Sequence, residues 1–170
     1  NNSVKVGISA TQVFLDGRSD MGLVRRVADR TEGLGFRSLW GQEQGVGGVP
    51  VLEPLGLLGY LAGITTNGKL GTAVLIATQR NPVQLAKTLG SLDSISDGRV
   101  IAGIALGGQT KDYPLFGASE RGRVGQLIDT IGALRALWSD GDATYAGPTI
   151  ALNEVAMEPK PVQRPGPEIW

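Results

Sequence analysis

The chain has 170 residues, with 16 Lys and Arg against 16 Asp and Glu and no His, so its formal net charge is zero. A neutral chain has no electrostatic footprint for nucleic acid or for an anionic membrane surface, and we expect neither as a partner. The absence of Cys and His excludes disulfides, thiolate catalysis, Ser-His-Asp triads and the common zinc sites, so no metal is expected.

Hydrophobic residues make up 41% and charged residues 19% of the chain, a composition typical of a globular protein with a buried core. No apolar run approaches the roughly 18 residues that a membrane span needs, and the first residues do not resemble a signal peptide. These features predict a cytoplasmic protein. The length lies far below the roughly 200 or more residues of a complete (β/α)₈ barrel.

Apolar runs predict four strands, at residues 4–10, 38–41, 69–78 and 99–108. Four helices are predicted between and after them by apolar residues at helical spacing. Their cap, proline and glycine signals place them from Ser19 or Asp20 to Gly33 or Gly35, from Pro54 to Thr66-Asn67-Gly68, from Asn81-Pro82 to Asp97-Gly98, and from Ser119 or Glu120 to Trp138.

The remainder predicts turns at 140–142 and 147–148 around short strands, irregular structure over 140–167, and the start of a fifth strand at 168–170. Strands that alternate with helices indicate a parallel sheet built of right-handed βαβ units. Two architectures fit this order: an open doubly wound sheet of flavodoxin type, or half of a barrel.

In both architectures the ligand site lies at the carboxyl ends of the strands. Glycines cluster there after the second and fourth predicted strands, at Gly41, Gly45, Gly47, Gly48, Gly107 and Gly108. Adjacent glycines let backbone N–H groups approach a ligand, although they also serve ordinary strand-to-helix turns. Neither a Walker A loop nor a dinucleotide-binding glycine fingerprint is present.

Eight strings in register resemble the bacterial luciferase-like flavin- or F420-dependent oxidoreductases, and they span almost the whole chain. They are Gly35-Phe36-Arg37-Ser38-Leu39-Trp40 with Glu43, Leu70-Gly71-Thr72-Ala73-Val74, Arg80-Asn81-Pro82 with Leu85-Ala86-Lys87, Leu92-Asp93-Ser94-Ile95-Ser96-Asp97-Gly98-Arg99, Phe116-Gly117, Glu120-Arg121-Gly122-Arg123, Leu134-Arg135-Ala136-Leu137-Trp138, and Pro159-Lys160-Pro161-Val162-Gln163 with Ile169-Trp170.

The resemblance implies an α/β fold of the TIM-barrel (β/α)₈ type, of which only the first four to five βα units are present. Residues 1–170 would form a single domain, the amino-terminal half of a luciferase-like barrel, with 140–167 as an irregular insertion before strand five. It implies a chain that ends early, because family members continue through strands five to eight. The strands are then expected to be parallel, in the order 1-2-3-4, with helices on one face.

The resemblance also implies a ring cofactor, FMN or F420, at the carboxyl face, and hydride transfer to or from a small-molecule substrate. Strand three is expected to carry a bulge with a cis peptide at Ala73-Val74 that backs the ring. The positions that match the family are Glu43, with a role in hydrogen bonding to the ring, and Ala73-Val74. Around them we predict cofactor binding by Ile76, Leu106 and Gly107, with Gly107 required because a Cβ there would intrude on the ring or its ribityl chain, and by Lys111, whose charge on the loop after strand four could meet a phosphate or carboxylate tail. The predicted catalytic positions are Glu43 and Gln44.

Two positions depart from the family pattern. Gln44 stands where F420-dependent members frequently have a His, and Gly108 stands where many have a Glu. A glutamine cannot exchange a proton near neutral pH, and a glycine offers only its backbone. A non-catalytic flavin-binding half-barrel therefore remains an alternative, beside the flavodoxin-like nucleotide-binding domain.

Two further expectations concern packing. Trp40, Trp138 and Trp170 lie on apolar faces and are expected in the core. A half-barrel has open apolar sheet edges, so we expect a homo-oligomer.

Overall fold

The computed structural model describes residues 4–170. Its strands, in chain order, are β1 Gly7–Ser9, β2 Ser38–Gly41, β3 Lys69–Thr72, β4 Leu75–Ile76, β5 Val100–Ala102, β6 Ile104–Ala105, β7 Ala143–Ala146, β8 Ala151–Val155 and β9 Glu168–Ile169. Its α-helices are α1 Met21–Gly33, α2 Pro54–Ile64, α3 Pro82–Ile95 and α4 Arg123–Trp138, and two 3-10 helices span Ala77–Gln79 and Thr110–Phe116.

The main sheet has five strands in the order β1-β2-β3-β5-β9, and every neighbouring pair is parallel. The predicted sequential order is therefore confirmed, and the reversal that a flavodoxin-like domain requires does not occur, so that alternative is wrong. Consecutive helices contact one another from α1 through α4. This is the arrangement of the first units of a (β/α)₈ barrel, and the sheet is not closed within residues 4–170.

The sheet register separates the two faces of the sheet. Ile8, Leu39, Leu70 and Val100 share one row, and the last three are buried in the core that the helices form. The next row contains Trp40, which would clash with a Cβ on Gly71 of the neighbouring strand. Glycine on that strand therefore leaves room for the indole ring on the face away from the helices.

The helix starts follow their caps. Asp20, Glu53 and Asn81 each accept a hydrogen bond from a backbone N–H of the first turn, and Pro54 and Pro82 occupy the first turns of α2 and α3. Only α4 begins later than expected. Its N-cap is Gly122 in the left-handed region, and a 3-10 helix over residues 110–116 precedes it.

The two long strands predicted at 69–78 and 99–108 are each broken in two. The Ala73–Val74 peptide is cis and separates β3 from β4, at the position implied by the resemblance. Gly103 separates β5 from β6, and a Cβ there would lie 1.9 Å from the Thr72 carbonyl oxygen. Thr72 Oγ1 donates to the Gly103 carbonyl at 2.8 Å, so the two breaks lie side by side.

Residues 140–167 contain the antiparallel hairpin β7–β8, which Asp129 of α4 anchors. Asp129 Oδ2 accepts hydrogen bonds from the Thr149 hydroxyl and backbone N–H, both at 2.6 Å, and Oδ1 accepts from the Tyr145 hydroxyl at 2.9 Å. The Thr149 hydroxyl, chiefly, and the other donors stabilise the carboxylate and lower the pKa of Asp129. The hydrogen bond that the Tyr145 hydroxyl donates to Asp129 raises the pKa of Tyr145.

Asp93 and Gln163, from two of the family-like strings, meet at the amino ends of the strands. The Asp93 carboxylate accepts from the Gln163 backbone N–H at 2.9 Å and from its Nε2 at 2.7 Å. Arg99 donates to Thr65 Oγ1 at 2.8 Å and to the Ala62 carbonyl at 3.0 Å, which ties β5 to the end of α2. These contacts give the two family-like strings a structural role, since residues at this end of a parallel barrel contribute to stability and not to chemistry.

Of the three tryptophans, only Trp138 lies in the core, at 1% exposure. Trp40 is half-buried and Trp170 is 65% exposed, so the expectation that all three are core residues is wrong. Their ring centroids lie 5.2 Å apart, on the side of the sheet that would face a barrel interior. Within residues 4–170, no helix is both long enough and apolar enough to cross a membrane.

Candidate active site

Two clefts lie at the carboxyl ends of the strands. The larger, which we call the amide cleft, has a volume of about 500 Å³, and four glutamines line it: Gln42, Gln44, Gln79 and Gln109. The smaller has about 260 Å³ and lies at the ends of β1 and β2, with Ala10, Gln12 and Ala73 in its wall. Gln42 belongs to both walls.

Glu43, immediately after β2, lines the amide cleft, but its carboxylate is fully engaged. Oε2 accepts a hydrogen bond from the Ile76 backbone N–H, and Oε1 accepts from the Arg80 guanidinium, with Nε at 3.1 Å. The Glu43 side chain is only 7% exposed. Glu43 therefore connects the end of β2 to β4 and to Arg80.

Arg80 is shared between two carboxylates. Besides Glu43, its Nη2 donates to Glu53 Oε1 at 2.7 Å, and the other Glu53 oxygen caps α2 through the Gly56 N–H at 2.6 Å. Burial alone would lower the pKa of Arg80, but the hydrogen bonds and charges of the two glutamates outweigh it and raise that pKa. Arg80 thus stays charged and holds three elements together.

Gln44, the second predicted catalytic position, lies on the exposed rim of the amide cleft. Its side chain folds against its own loop, since a Cβ on Gly47 would lie 2.0 Å from Gln44 Nε2. Its amide takes part in no hydrogen bond with the described part of the chain. A neutral amide at this position can hydrogen-bond a ligand but cannot carry a proton to it.

Ala73, Val74 and Ile76 form an apolar surface between the two clefts. Ala73 is exposed and lines the smaller cleft, and Ile76 lines the amide cleft. Val74, which follows Ala73 in the sequence, has 39% of its surface exposed. The Val74 carbonyl accepts from the Glu43 backbone N–H at 3.3 Å. The structure thus brings Glu43 and these three predicted residues together.

Leu106 and Gly107 follow β6 beside this surface. The Leu106 carbonyl accepts hydrogen bonds from the Tyr113 hydroxyl and from Thr78 Oγ1, the latter at 3.1 Å. Gly107 has a φ of +75°, and a Cβ there would lie 2.7 Å from Ile76 Cγ2. A side chain at Gly107 would therefore meet Ile76 before it could meet a ligand, which changes the physical reason for the glycine.

Lys111 is the predicted residue that the structure does not bring to the site. It is exposed on the 3-10 helix Thr110–Phe116 and lines neither cleft. Gly108, which stands where many family members have a Glu, lines the amide cleft with its backbone only.

Sequence reasoning missed one contact and one residue at the site. Arg80 follows the third predicted strand and was therefore expected at the carboxyl edge, but its pairing with Glu43, 37 residues away in the chain, carries no local signal. Asp112 lines the amide cleft from the 3-10 helix, which was not predicted. An acid within an apparent loop is usually a solvated residue, so nothing in the sequence distinguished it.

Comparison with known proteins identifies the family. A family model for luciferase-like monooxygenases matches residues 5–170. The oxygenase component of the flavin-dependent trigonelline monooxygenase from Acinetobacter baylyi is 30% identical over 150 residues, which are 85% of this chain and 40% of that protein.

Solved structures share the fold. The monooxygenase RslO1 from Streptomyces bottropensis has a TM-score of 0.86 at 26% identity, over 98% of this chain and 52% of that one. An F420-dependent secondary alcohol dehydrogenase, solved with an F420-acetone adduct, has a TM-score of 0.78 at 22% identity, over 94% of this chain and 50% of that one. The chain spans about 40% of the length of the first curated relatives and about half of these structures. Because the family match covers nearly every residue and the strand order agrees with it, the chain belongs to the luciferase-like monooxygenase family.

Proposed function

We propose that residues 1–170 form the amino-terminal half of a flavin- or F420-dependent oxidoreductase that transfers hydride to or from a small organic substrate. The observation that carries the proposal is the apolar surface of Ala73 and Val74, which are exposed, and Ile76, which is half-buried, at the carboxyl edge of the parallel sheet, where Ala73 lines one cleft and Ile76 the other. Ligands of parallel barrels bind at this edge.

The residues present fit a flat heteroaromatic ring. An exposed apolar surface supports the face of such a ring, while amides such as those of Gln42 and Gln44 match the alternating carbonyl and N–H groups of its polar edge. When bound, a flavin or deazaflavin supplies the hydride chemistry. The protein contributes orientation and exclusion of water.

Glu43, Gly107 and Leu106 would act by positioning neighbouring groups of the protein. The Glu43 carboxylate accepts a hydrogen bond from the Ile76 backbone N–H and so holds the apolar surface in place. Gly107 leaves room for the Ile76 side chain, and Leu106 holds the 3-10 helix through Tyr113. Lys111, further out, is proposed to contact only a charged tail of the cofactor.

The relatives support both cofactor classes. The Acinetobacter relative is described as flavin-dependent, and the alcohol dehydrogenase with the similar fold is F420-dependent. We therefore propose FMN or F420 for this chain, and binding of the two compounds side by side decides between them.

A second candidate is a half-barrel that binds the ring without turnover. One observation favours it: both oxygens of Glu43 are occupied by Ile76 and Arg80, while Gln44 and Gly108 offer no titratable group. The double variant Gln44→His, Gly108→Glu restores the two residues of the family pattern. It is expected to raise the rate of F420 reduction if an acid-base pair has been lost. Unchanged turnover would count against that explanation.

The experiment compares FMN and F420 binding by fluorescence in the parent chain and in two variants. Val74→Asp places a charge on the apolar surface and is expected to weaken binding by about tenfold or more, since burying an unpaired carboxylate against a ring is costly. Ile95→Asp is the control, because Ile95 is also an exposed apolar residue, at 62% against 39% for Val74, but lies at the end of α3, outside both clefts. Equal affinity in the two variants, with unchanged far-UV circular dichroism, would reject the proposed surface.

A further inference from the structure

The amide cleft contains five polar side chains that no described part of the chain engages. They are Gln42, Gln44, Gln79, Gln109 and Asp112. Within residues 4–170 none of these five side chains makes a hydrogen bond, although the Gln42 backbone is bonded to the Gln12 side chain. Glu43, in the same wall, is the opposite case, since both of its oxygens are occupied. The free amides and the free carboxylate are therefore the groups that a ligand in this cleft would meet.

The 3-10 helix that carries Asp112 is held in place by the residues next to it. The next residue, Tyr113, is 1% exposed, and its hydroxyl donates to the Leu106 carbonyl and accepts from Thr78 Oγ1 at 3.1 Å. At the end of the same 3-10 helix, the Phe116 ring packs on Gly45, whose added Cβ would lie 2.6 Å from Cζ. A carboxylate on an anchored element can select a ligand at little cost in conformational entropy.

No lysine or arginine lines this cleft. Arg80, which lies behind Glu43, is held by two carboxylates. Arg123 donates to the Gly107 carbonyl at 3.1 Å, and Lys111 is exposed outside the lining. A carboxylate or phosphate that entered the amide cleft would lose water without gaining contact with a cationic side chain, and it would lie near Asp112.

We propose that Asp112 is a specificity-determining residue of the amide cleft, which makes the cleft prefer ligands that present a cationic or N–H or O–H donating group over ligands that present a carboxylate or phosphate. This inference rests on the proposed function, because it names the class of substrate that would lie beside the ring. Since the Gln42 and Gln44 amides are proposed to meet the ring, the Gln79 and Gln109 amides, which can donate and accept hydrogen bonds, suit the uncharged polar remainder of such a substrate.

The test uses three probes of similar size and different charge: benzylamine, benzyl alcohol and benzoate. Their dissociation constants are measured at pH 7 and low ionic strength by ligand-observed NMR. In the parent chain, benzylamine, which is a cation at this pH, is expected to bind about fivefold more tightly than benzoate or better, as a direct ion contact on a partly exposed site allows. Benzyl alcohol is expected to lie between the two.

Three variants locate the preference. Asp112→Asn keeps the shape and is expected to reduce the preference to less than about twofold, while Asp112→Glu restores most of it. Asp142→Asn removes an exposed carboxylate in the turn before β7, outside both clefts, and is expected to leave the preference unchanged.

Tighter binding of benzoate would overturn the proposal and would instead indicate anion binding by the backbone N–H groups of the glycine-rich loop 45–48. A preference that survives in Asp112→Asn, or the binding of none of the probes, would overturn it as well. A failure of this inference can be distinguished from a failure of the proposed function. Flavin binding without charge preference rejects only this inference, whereas charge preference without flavin or F420 binding rejects the proposed function.

Discussion

Glu43 and Arg80 form the ion pair that holds the wall of the amide cleft together. Glu43 is nearly inaccessible to water, Arg80 is 24% exposed, and the pair joins the end of β2 to β4 and to the α2 cap. Removing one partner of such a pair is costly, because it leaves the other charge buried without compensation.

We expect Arg80→Ala to lower the free energy of unfolding by about 1–3 kcal/mol, the usual cost of leaving a buried charged group without its hydrogen bonds. Arg80→Lys should recover only part of the loss, because an ammonium group cannot reproduce the two-nitrogen contact with Glu43. Urea titration measures both.

The matched control is Arg26→Ala, which removes an arginine from an exposed pair with Asp20, 3.6 Å apart. Its expected cost is below about 0.5 kcal/mol, since exposed pairs contribute little. Equal losses in Arg80→Ala and Arg26→Ala would mean that the Glu43–Arg80 pair has no special structural role.

Gly107 and Gly108 are adjacent glycines that the structure distinguishes. Gly107 has positive φ and would press a Cβ into Ile76, whereas Gly108 has no atom within 4 Å of an added Cβ. Gly107→Ala is expected to cost about 1–2 kcal/mol from the left-handed backbone conformation. Gly108→Ala should change the stability by less than about 0.5 kcal/mol. Urea titration of the pair tests this, and similar stability losses would show that the backbone at 107 is not constrained.

The sequence predicted some site residues and not others, for physical reasons. Glu43 follows a short predicted strand, and Ile76 and Arg80 lie near the end of the predicted strand 69–78, so parallel-sheet topology alone places all three near the carboxyl edge. The position of Asp112 depends on a 3-10 helix, and the Arg80–Glu43 pair depends on a contact between distant residues; no local periodicity encodes either. Lys111 was predicted from charge, but its exposed position places it outside the cleft lining.

At the scale of elements, the hairpin β7–β8 is attached to α4 through one carboxylate. Asp129 is 2% exposed and satisfies donors from Tyr145 and Thr149. Because its pKa is lowered in the folded chain, its contribution to stability is complete above the ordinary aspartate pKa of about 3.9 and disappears as the pH falls through the folded-state value.

Asp129→Asn is therefore expected to lower the melting temperature by several degrees at pH 7, with the difference from the parent shrinking as the pH falls below about 4. Thermal unfolding followed by circular dichroism across this range measures it. Asp140→Asn is the control, since Asp140 is exposed and lies 3.8 Å from its arginine partner. A difference that stays constant with pH would exclude ionisation of Asp129 as the cause.

Element prediction succeeded where signals are local and failed where backbones bend. Asp20, Pro54 and Asn81 mark helix starts with their own chemistry, and those starts were correct. The apolar runs 69–78 and 99–108 show burial but not the breaks within them. The break at Ala73–Val74 was expected only from the family resemblance, and the break at Gly103, which lies against Thr72 of the neighbouring strand, was not predicted. Likewise, α4 begins late, at Arg123, because Gly122 before it has a left-handed backbone conformation, which apolar spacing does not reveal.

At the scale of the molecule, the order and direction of the strands followed from the alternation of strands and helices. Short connections leave little choice but sequential parallel strands, and the unit spacing limits how many fit in 170 residues. The exposed face near Trp40 and Trp170 was not predicted. Their apolar surroundings in the sequence are the same for a core and for the inside of an open barrel segment.

The sheet of residues 4–170 ends in two open edges, β1 and β9. Exposed apolar side chains accompany both, with Val4 and Val6 before β1 and Trp170 after β9. An unpaired apolar edge is a template for association, and a net charge of zero provides no repulsion against it.

We therefore expect a 170-residue polypeptide of this sequence to self-associate at micromolar concentration, with sedimentation velocity showing species heavier than the monomer. Val6→Lys places a charge at the β1 edge and should shift the distribution toward monomer, because a lysine on an edge must be desolvated for pairing. Leu115→Lys is the control: Leu115 is more exposed than Val6 but lies on the 3-10 helix, outside the sheet. If both variants shift the distribution equally, association proceeds through general apolar exposure and not through the edge. If the parent chain remains a monomer, its edges are protected by a means that the sheet order does not reveal, and the expectation of a homo-oligomer fails for this polypeptide.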